Sequence, residues 1–305
     1  MQAIVCELCG GNQLIKDNGY FVCQHCGTKY TLEEAKKIML SGTVKIDNSG
    51  SLNNFLVMSR NAYASKNYTE AMDYSNKVLE IESNNSEAWY IKGSSAGWLS
   101  NPASLDLNES IQCWGNSIAY APDDVAENCK KMVFNEYTGI IRSLVNMNLS
   151  KLAETLNTGY VDNLLNMSAI IHTMPANLKK MNIPYVIKDF YNQIAATIMN
   201  SLHETAENAD RSLRMCLGRG STIEVSNFIS FLDSCIEVFE MAAGLSSIDM
   251  TVAKCFDYSI YYQKRIIRSI TLKSDIVARK RVLNETARKK AETINEVRRT
   301  GNNAP

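Results

Sequence analysis

Cys6-Glu7-Leu8-Cys9-Gly10 and Cys23-Gln24-His25-Cys26-Gly27 are two Cys-x-x-Cys knuckles, each followed by a glycine. Four thiolates at this spacing can enclose one Zn²⁺ tetrahedrally, and a glycine after each pair lets the backbone turn back toward the metal. A segment of about thirty residues buries too little apolar surface to fold alone, so the ion supplies the missing free energy. The expected cofactor is one structural Zn²⁺ held by Cys6, Cys9, Cys23 and Cys26. Four sulfur ligands leave no open position for a reactive water. His25 lies inside the second knuckle, but its neighbours complete the shell, so a solvent-facing imidazole is expected.

Working outward, Gln13-Leu14-Ile15-Lys16 and Tyr20-Phe21-Val22 read as short strands joined by a turn at Asp17-Asn18-Gly19. Thr31-Leu32-Glu33-Glu34 has the spacing of a capping box and predicts a helix to about Leu40, ended by Ser41-Gly42. The ribbon with its short helix therefore spans 1–42. The β-branched and then polar stretch at 43–51 reads as a linker.

The chain has 305 residues, 45% of them hydrophobic and 21% charged, so a packed fold rather than disorder is expected. Met1-Gln2-Ala3-Ile4-Val5 runs directly into a metal ligand, and no apolar run reaches membrane-spanning length. A cytoplasmic location without a transmembrane segment is expected. Of nine cysteines, Cys113, Cys129, Cys216, Cys235 and Cys255 stand apart in helical-looking sequence, which suits reduced, buried thiols better than a disulfide framework.

From Leu52 onward apolar residues recur every three or four positions, which predicts helix after helix. Pro102, Pro122, Pro175 and Pro184, with Gly218-Arg219-Gly220 and Gly244-Leu245-Ser246-Ser247, mark the expected breaks, giving about eight to ten helices. The fold class is mainly α: a small β ribbon, helix pairs at 52–124, a further helical body at 125–271 and a long basic helix and tail at 272–305.

The segment Tyr68–Gly93 resembles the second helix of a tetratricopeptide repeat running into the first helix of the next. Ala71, Ser75, Val78 and Ser83 find counterparts in Ser110, Trp114, Ser117 and Pro122, although the turn near Asn101-Pro102 lengthens the family's period of about 34 residues. With the four-cysteine ribbon and the Gly42–Ser49 linker, the chain resembles a group of bacterial zinc-ribbon/tetratricopeptide proteins across residues 1–124. The resemblance implies stacked helix pairs with a concave groove. With Trp89 at the buried position, Tyr90, Ser94 and Gly97 would face that groove, where tyrosine and serine suit contact with a protein partner.

Formal net charge is zero, but residues 43–124 carry five Lys/Arg against ten Asp/Glu, while 272–305 carry nine against four. In the tail, Leu272, Ile276, Leu283, Ala287 and Ile294 form a narrow apolar stripe, and Arg279 interrupts a pure heptad seam. Arg279-Lys280-Arg281, Arg288-Lys289-Lys290 and Arg298-Arg299 form three basic clusters. They suit a solvated face resting on the chain's own acidic repeats, an acidic partner, a phosphate backbone, or a second copy paired through this helix. In residues 1–42, Lys16, Lys29, Lys36 and Lys37 balance Glu7, Asp17, Glu33 and Glu34, which disfavours phosphate attraction to the ribbon. Tyr20, Phe21 and Tyr30 read as aromatics packed beside the metal.

Catalytic patterns fail. His203-Glu204-Thr205-Ala206-Glu207 has Glu207 where a metalloprotease helix needs its second histidine, and Gly218-Arg219-Gly220-Ser221-Thr222 lacks the lysine of a phosphate loop. His172 has no visible partner. The expectation is a non-enzymatic interaction protein; the reading from a different class is a nucleic-acid-associated regulator using the basic tail.

Overall fold

A computed structural model describes residues 6–9, 11, 13–35, 49–100, 106–216, 222–269 and 273–301. They fall into two compact units, 1–51 and 52–305.

In the first unit, β1 (Leu14–Asp17), β2 (Tyr20–Cys23) and β3 (Lys29–Tyr30) form an antiparallel sheet in that order. Asn18 and Gly19 take φ values of 46° and 85°, the left-handed pair of a type I′ hairpin whose twist matches its strands. Asp17 therefore closes β1 opposite Tyr20 rather than entering the turn. The Thr31 backbone N–H donates to Glu34 Oε2 at 2.8 Å, and the Glu34 N–H to Thr31 Oγ1 at 3.2 Å, so the expected capping box forms. The helix it starts is described over 32–35; its expected run to Leu40 lies outside the described residues, as does most of the linker read at 43–51.

Ten helices follow among the described residues: α1 (Ser49–Ala64), α2 (Tyr68–Ile81), α3 (Ser86–Leu99), α4 (Asn108–Tyr120), α5 (Ala126–Thr155), α6 (Gly159–Lys180), α7 (Lys188–Cys216), α8 (Thr222–Leu245), α9 (Asp249–Ser269) and α10 (Lys273–Gly301). None is long and apolar enough to cross a membrane. Asn67 and Asn85 cap α2 and α3 by accepting from the N–H groups of Glu70 and Ala88.

The small residues read from the sequence set the helix spacing. Ala71, Ser75 and Val78 are buried on α2, and Ser110, Cys113, Trp114 and Ser117 are buried on α4, so the two stretches pack alike. Ser59 on α1 meets Ser75 at 2.8 Å and donates to the Ala71 carbonyl at 3.1 Å. A Cβ on Gly93 would stand 2.7 Å from Cys113 Cβ, so α3 and α4 approach at a distance only glycine permits. The main core then runs through α5 to α9, where Tyr137, Ile140, Leu152, Met174, Ile194, Phe239 and Tyr262 are all fully buried.

Pro175 does not break the chain as expected; it lies inside α6. A helical proline cannot donate to the carbonyl four residues earlier, which leaves the Ile171 oxygen without its usual partner. The Tyr191 hydroxyl of α7 donates to that same oxygen. Meanwhile Ile171, Met174 and Leu178 are buried on one face, so packing carries the helix through the proline. The breaks expected at Pro102 and Gly218–Gly220 lie outside the described residues, while Pro122 and Pro184 fall between helices.

Helix α10 corrects two expectations. Ala287 is exposed, and the adjacent Thr286 is buried in its place, because the seam follows Ile276, Arg279, Leu283, Thr286, Lys290 and Val297. Leu272, the first member of the expected stripe, lies outside the described residues. The polar members of the seam find partners on α8 and α9, not on the acidic 43–124 segment. Arg279 pairs with Asp233 through both guanidinium nitrogens, Lys289 with Glu240 at 3.2 Å, Lys290 with Asp257, and Arg298 with Asp249 at 2.6 Å. Thr286 accepts from Gln263 Nε2 at 2.9 Å.

Two outcomes follow from this packing. Tyr191→Phe strips the Ile171 carbonyl of its donor and is expected to cost about 1–2 kcal/mol in denaturant unfolding. In a Pro175→Ala background, where a backbone N–H returns, that cost is expected to shrink. The α10 ion pairs are partly exposed and open to screening, so raising salt to about 1 M is expected to speed amide exchange in α10 before α8 and α9. Salt-independent exchange across α10 would contradict a helix held mainly by charge.

Candidate metal centre and helical groove

Both knuckles are built by the same local bond. The Cys6 N–H donates to the Gly11 carbonyl at 2.8 Å and the Cys23 N–H to the Thr28 carbonyl at 2.9 Å, each spanning five residues. Gly27 takes φ 75°, which turns the second loop back as its position after the knuckle predicts. Gly10 lies outside the described residues.

These turns bring the four Sγ atoms within 4.8 Å of one another. Cys6 to Cys26 and Cys9 to Cys23 are each 3.6 Å apart, close to the edge of about 3.8 Å that a tetrahedron with Zn–S bonds of about 2.3 Å requires. Residues 1–32 match a zinc ribbon domain family. The chain has no match among curated proteins.

Cys6, Cys9, Cys23 and Cys26 of this ribbon fit one structural Zn²⁺. Bound there, the ion cross-links two loops that otherwise share only a small core of Cys6, Cys23, Tyr30 and Ala35, with Leu14 and Phe21 against it. The Tyr30 hydroxyl sits 3.0 Å from Cys6 Sγ and holds that thiol down to about 6, well below the usual thiol range. The same contact pushes the Tyr30 phenol up to about 12. Thr28 Oγ1, 3.1 Å from Cys26 Sγ, lowers the Cys26 thiol in the same way. Each hydroxyl thus favours the deprotonated sulfur that a metal requires.

Phe21 and Tyr30 pack beside the site as expected, but Tyr20 is 46% exposed. His25 is exposed and outside the ligand set. Sequence reasoning missed Gly11, where a Cβ would stand 3.1 Å from His25 Cβ and 3.4 Å from Cys9 Sγ.

The second unit holds a cavity of about 500 Å³ walled by α1, α3 and α5, with Tyr63, Tyr90, Ile91, Val125 and Met132 on its apolar side. Arg60 and Glu87, joined by a two-pronged ion pair, stand beside it. Tyr90 therefore lines the groove, as expected. Ser94 does not: it is fully buried and accepts from Trp114 Nε1 at 3.1 Å. Gly97 faces α5, where a Cβ would meet Ile140. Trp89 is only partly buried, its Nε1 donating to the Ser83 carbonyl, while Ala88 and Ile91 take the buried positions. The reason is geometric: α4 and α5 cover the face of α3 that the repeat pattern had assigned to the groove.

The groove wall is fixed by a residue the sequence did not single out. Glu136 on α5 accepts from Tyr63 at 2.6 Å, from Tyr90 at 3.2 Å and from Trp98 Nε1, tying α1 and α3 to one carboxylate. Tyr68 stacks on Trp98 with ring centroids 5.8 Å apart. Burial, with this carboxylate adding, raises the Tyr63 and Tyr90 phenols above the ordinary tyrosine range, so both remain donors.

Among the tail candidates, Arg279, Lys289 and Lys290 are engaged on α8 and α9. Lys280 and Arg281 are exposed without an ion pair among the described residues, and Arg288 reaches only Glu292 on its own helix at 3.7 Å. His172 is exposed and bonds the Ser168 carbonyl one turn away.

Cys6→Ser or chelation is expected to disorder the ribbon while most helical circular dichroism survives, because the helical unit has its own core. Tyr30→Phe keeps all four ligands and is expected to weaken zinc retention by about tenfold or more in competition with a chromophoric chelator. Glu136→Ala leaves three donors without their acceptor and is expected to cost about 2–3 kcal/mol by denaturant unfolding.

Proposed function

We propose that the chain is a non-enzymatic adaptor for protein–protein interaction, a structural zinc ribbon joined to a tetratricopeptide-like helical scaffold whose groove receives the partner. The observation that carries this reading is the cavity across α1, α3 and α5, whose apolar wall includes Met132 and Val125, 41% and 43% exposed. A partner's apolar side chain entering it would find tyrosine faces already held rigid by Glu136, which lowers the ordering cost of binding.

The ribbon supports a second contact. Strand alternation puts Leu14, Phe21 and Cys23 on the metal side and Ile15, Tyr20 and Val22 on the other, where Ile15 is 51% exposed. Leu8, between the first two ligands, is 77% exposed. Apolar side chains held out by a rigid metal-bound loop suit docking to protein more than to phosphate. The nucleic-acid reading loses weight because three of its cationic groups, on Arg279, Lys289 and Lys290, are spent within the chain.

The test is capture of partners from the native host with the intact chain and with Met132→Arg, which places a charge in the groove at an exposed position. A protein retained by the wild type and lost with the variant, at unchanged zinc content and helical circular dichroism, supports the reading. Equal retention by both moves the contact away from the groove.

A further inference from the structure

A second cleft, of about 370 Å³, lies between α7 and α9 and is lined by His203, Glu207, Asp257, Tyr258 and Tyr261. His203 and Glu207 stand one turn apart on α7, as do Asp257 and Tyr261 on α9, so four chemically active side chains meet across one seam. The His203 ring lies flat on Tyr258, with centroids 3.8 Å apart and planes 11° from parallel. Its Nδ1 is 2.9 Å from Tyr262 Oη, and that hydroxyl lies 3.3 Å from Glu207 Oε1. The walls are thereby locked before any ligand arrives.

We propose that this cleft is a binding subsite for an alkylammonium group, carried by a small amine or by a lysine side chain of a peptide. An alkylammonium needs a carboxylate for its charge and ring faces for its stem, and the cleft offers both. Burial depresses the His203 pKa, so the imidazole contributes a neutral ring face and no competing charge. The Tyr261 and Tyr262 phenols are raised, chiefly by burial, and stay neutral too. Arg265, the nearest guanidinium on α9, is taken by Asp210. Glu207 has no cationic partner among the described residues, and Asp257 already holds one alkylammonium, that of Lys290 on α10. Two carboxylates repel an anion. A metal ion is not the occupant, since only the four cysteines bring their ligand atoms together tightly enough among the described residues.

Lys290 gives the proposal a direction that a merely structural role for these residues does not share. Bound to Asp257, it competes with an external ammonium for the cleft, so its removal strengthens binding, whereas loss of the Glu207 charge weakens it. The experiment titrates the full-length, zinc-loaded chain with butylammonium chloride while following the His203 imidazole resonances, at ionic strength matched with sodium chloride. Butan-1-ol is the uncharged control. A saturable shift is expected with the amine and not with the alcohol, about tenfold weaker in Glu207→Gln and about threefold tighter in Lys290→Ala. Glu207→Gln keeps an acceptor for Tyr262, and the ring-current shift of His203 over Tyr258 reports that the cleft still stands. N-acetyl-lysine amide forms the other arm: tighter binding than butylammonium assigns the peptide source, weaker binding the small amine. Absence of saturation, an equal response to butan-1-ol, or Lys290→Ala and Glu207→Gln moving affinity in the same direction would overturn the proposal.

Discussion

A polar atom carried between two helices loses water, and unless it finds a partner there it costs more than a neighbouring apolar contact returns. This constraint shapes the helical unit throughout. Ser59 meets Ser75, Trp114 meets Ser94, and Gln263 meets Thr286. Glu136 collects three donors from two helices, and Tyr191 supplies the bond that Pro175 cannot. Each pair fixes a register that apolar side chains alone would leave free to slide. The groove inherits its shape from such a pairing, because Tyr63 and Tyr90 turn their hydroxyls toward Glu136 and so present their rings to the cavity.

The ribbon answers the same problem with a different bond. Its buried apolar set is small, and two of its members, Cys6 and Cys23, are themselves ligands, so core and metal site are one structure. The hydroxyls of Tyr30 and Thr28 then act on the sulfurs rather than on a carbonyl, favouring the thiolate. Where the helical unit satisfies buried polar atoms after packing them, the ribbon packs around polar atoms that a cation must satisfy.

The basic tail shows how segment charge and real contacts diverge. Summed over 43–124 and 272–305, opposite charges suggest that the two segments attract. Contacts are made over a few ångströms, however, and the carboxylates within reach of α10 are Asp233, Glu240, Asp249 and Asp257 on α8 and α9. Arg279, which spoils a heptad seam in the sequence, is accommodated in that seam by Asp233. The groove shows the same divergence: Tyr90 and Ser94 are one turn apart on α3, yet one lines the cavity and the other lies under Trp114.

The sequence by itself determined the four zinc ligands, the hairpin between their knuckles, the succession of helices and the small residues at which α3 meets α4. These are local properties, written in ligand spacing, in turn residues that tolerate positive φ, and in a helical period. Only the tertiary structure decided which face of α3 looks into the groove, that Glu136 gathers Tyr63, Tyr90 and Trp98, that Tyr191 rescues the carbonyl before Pro175, and where α10 docks. Those choices join residues from 20 to 73 positions apart. A side chain's role at such a distance depends on which helix is packed beside it, and no interval along one helix encodes its neighbour.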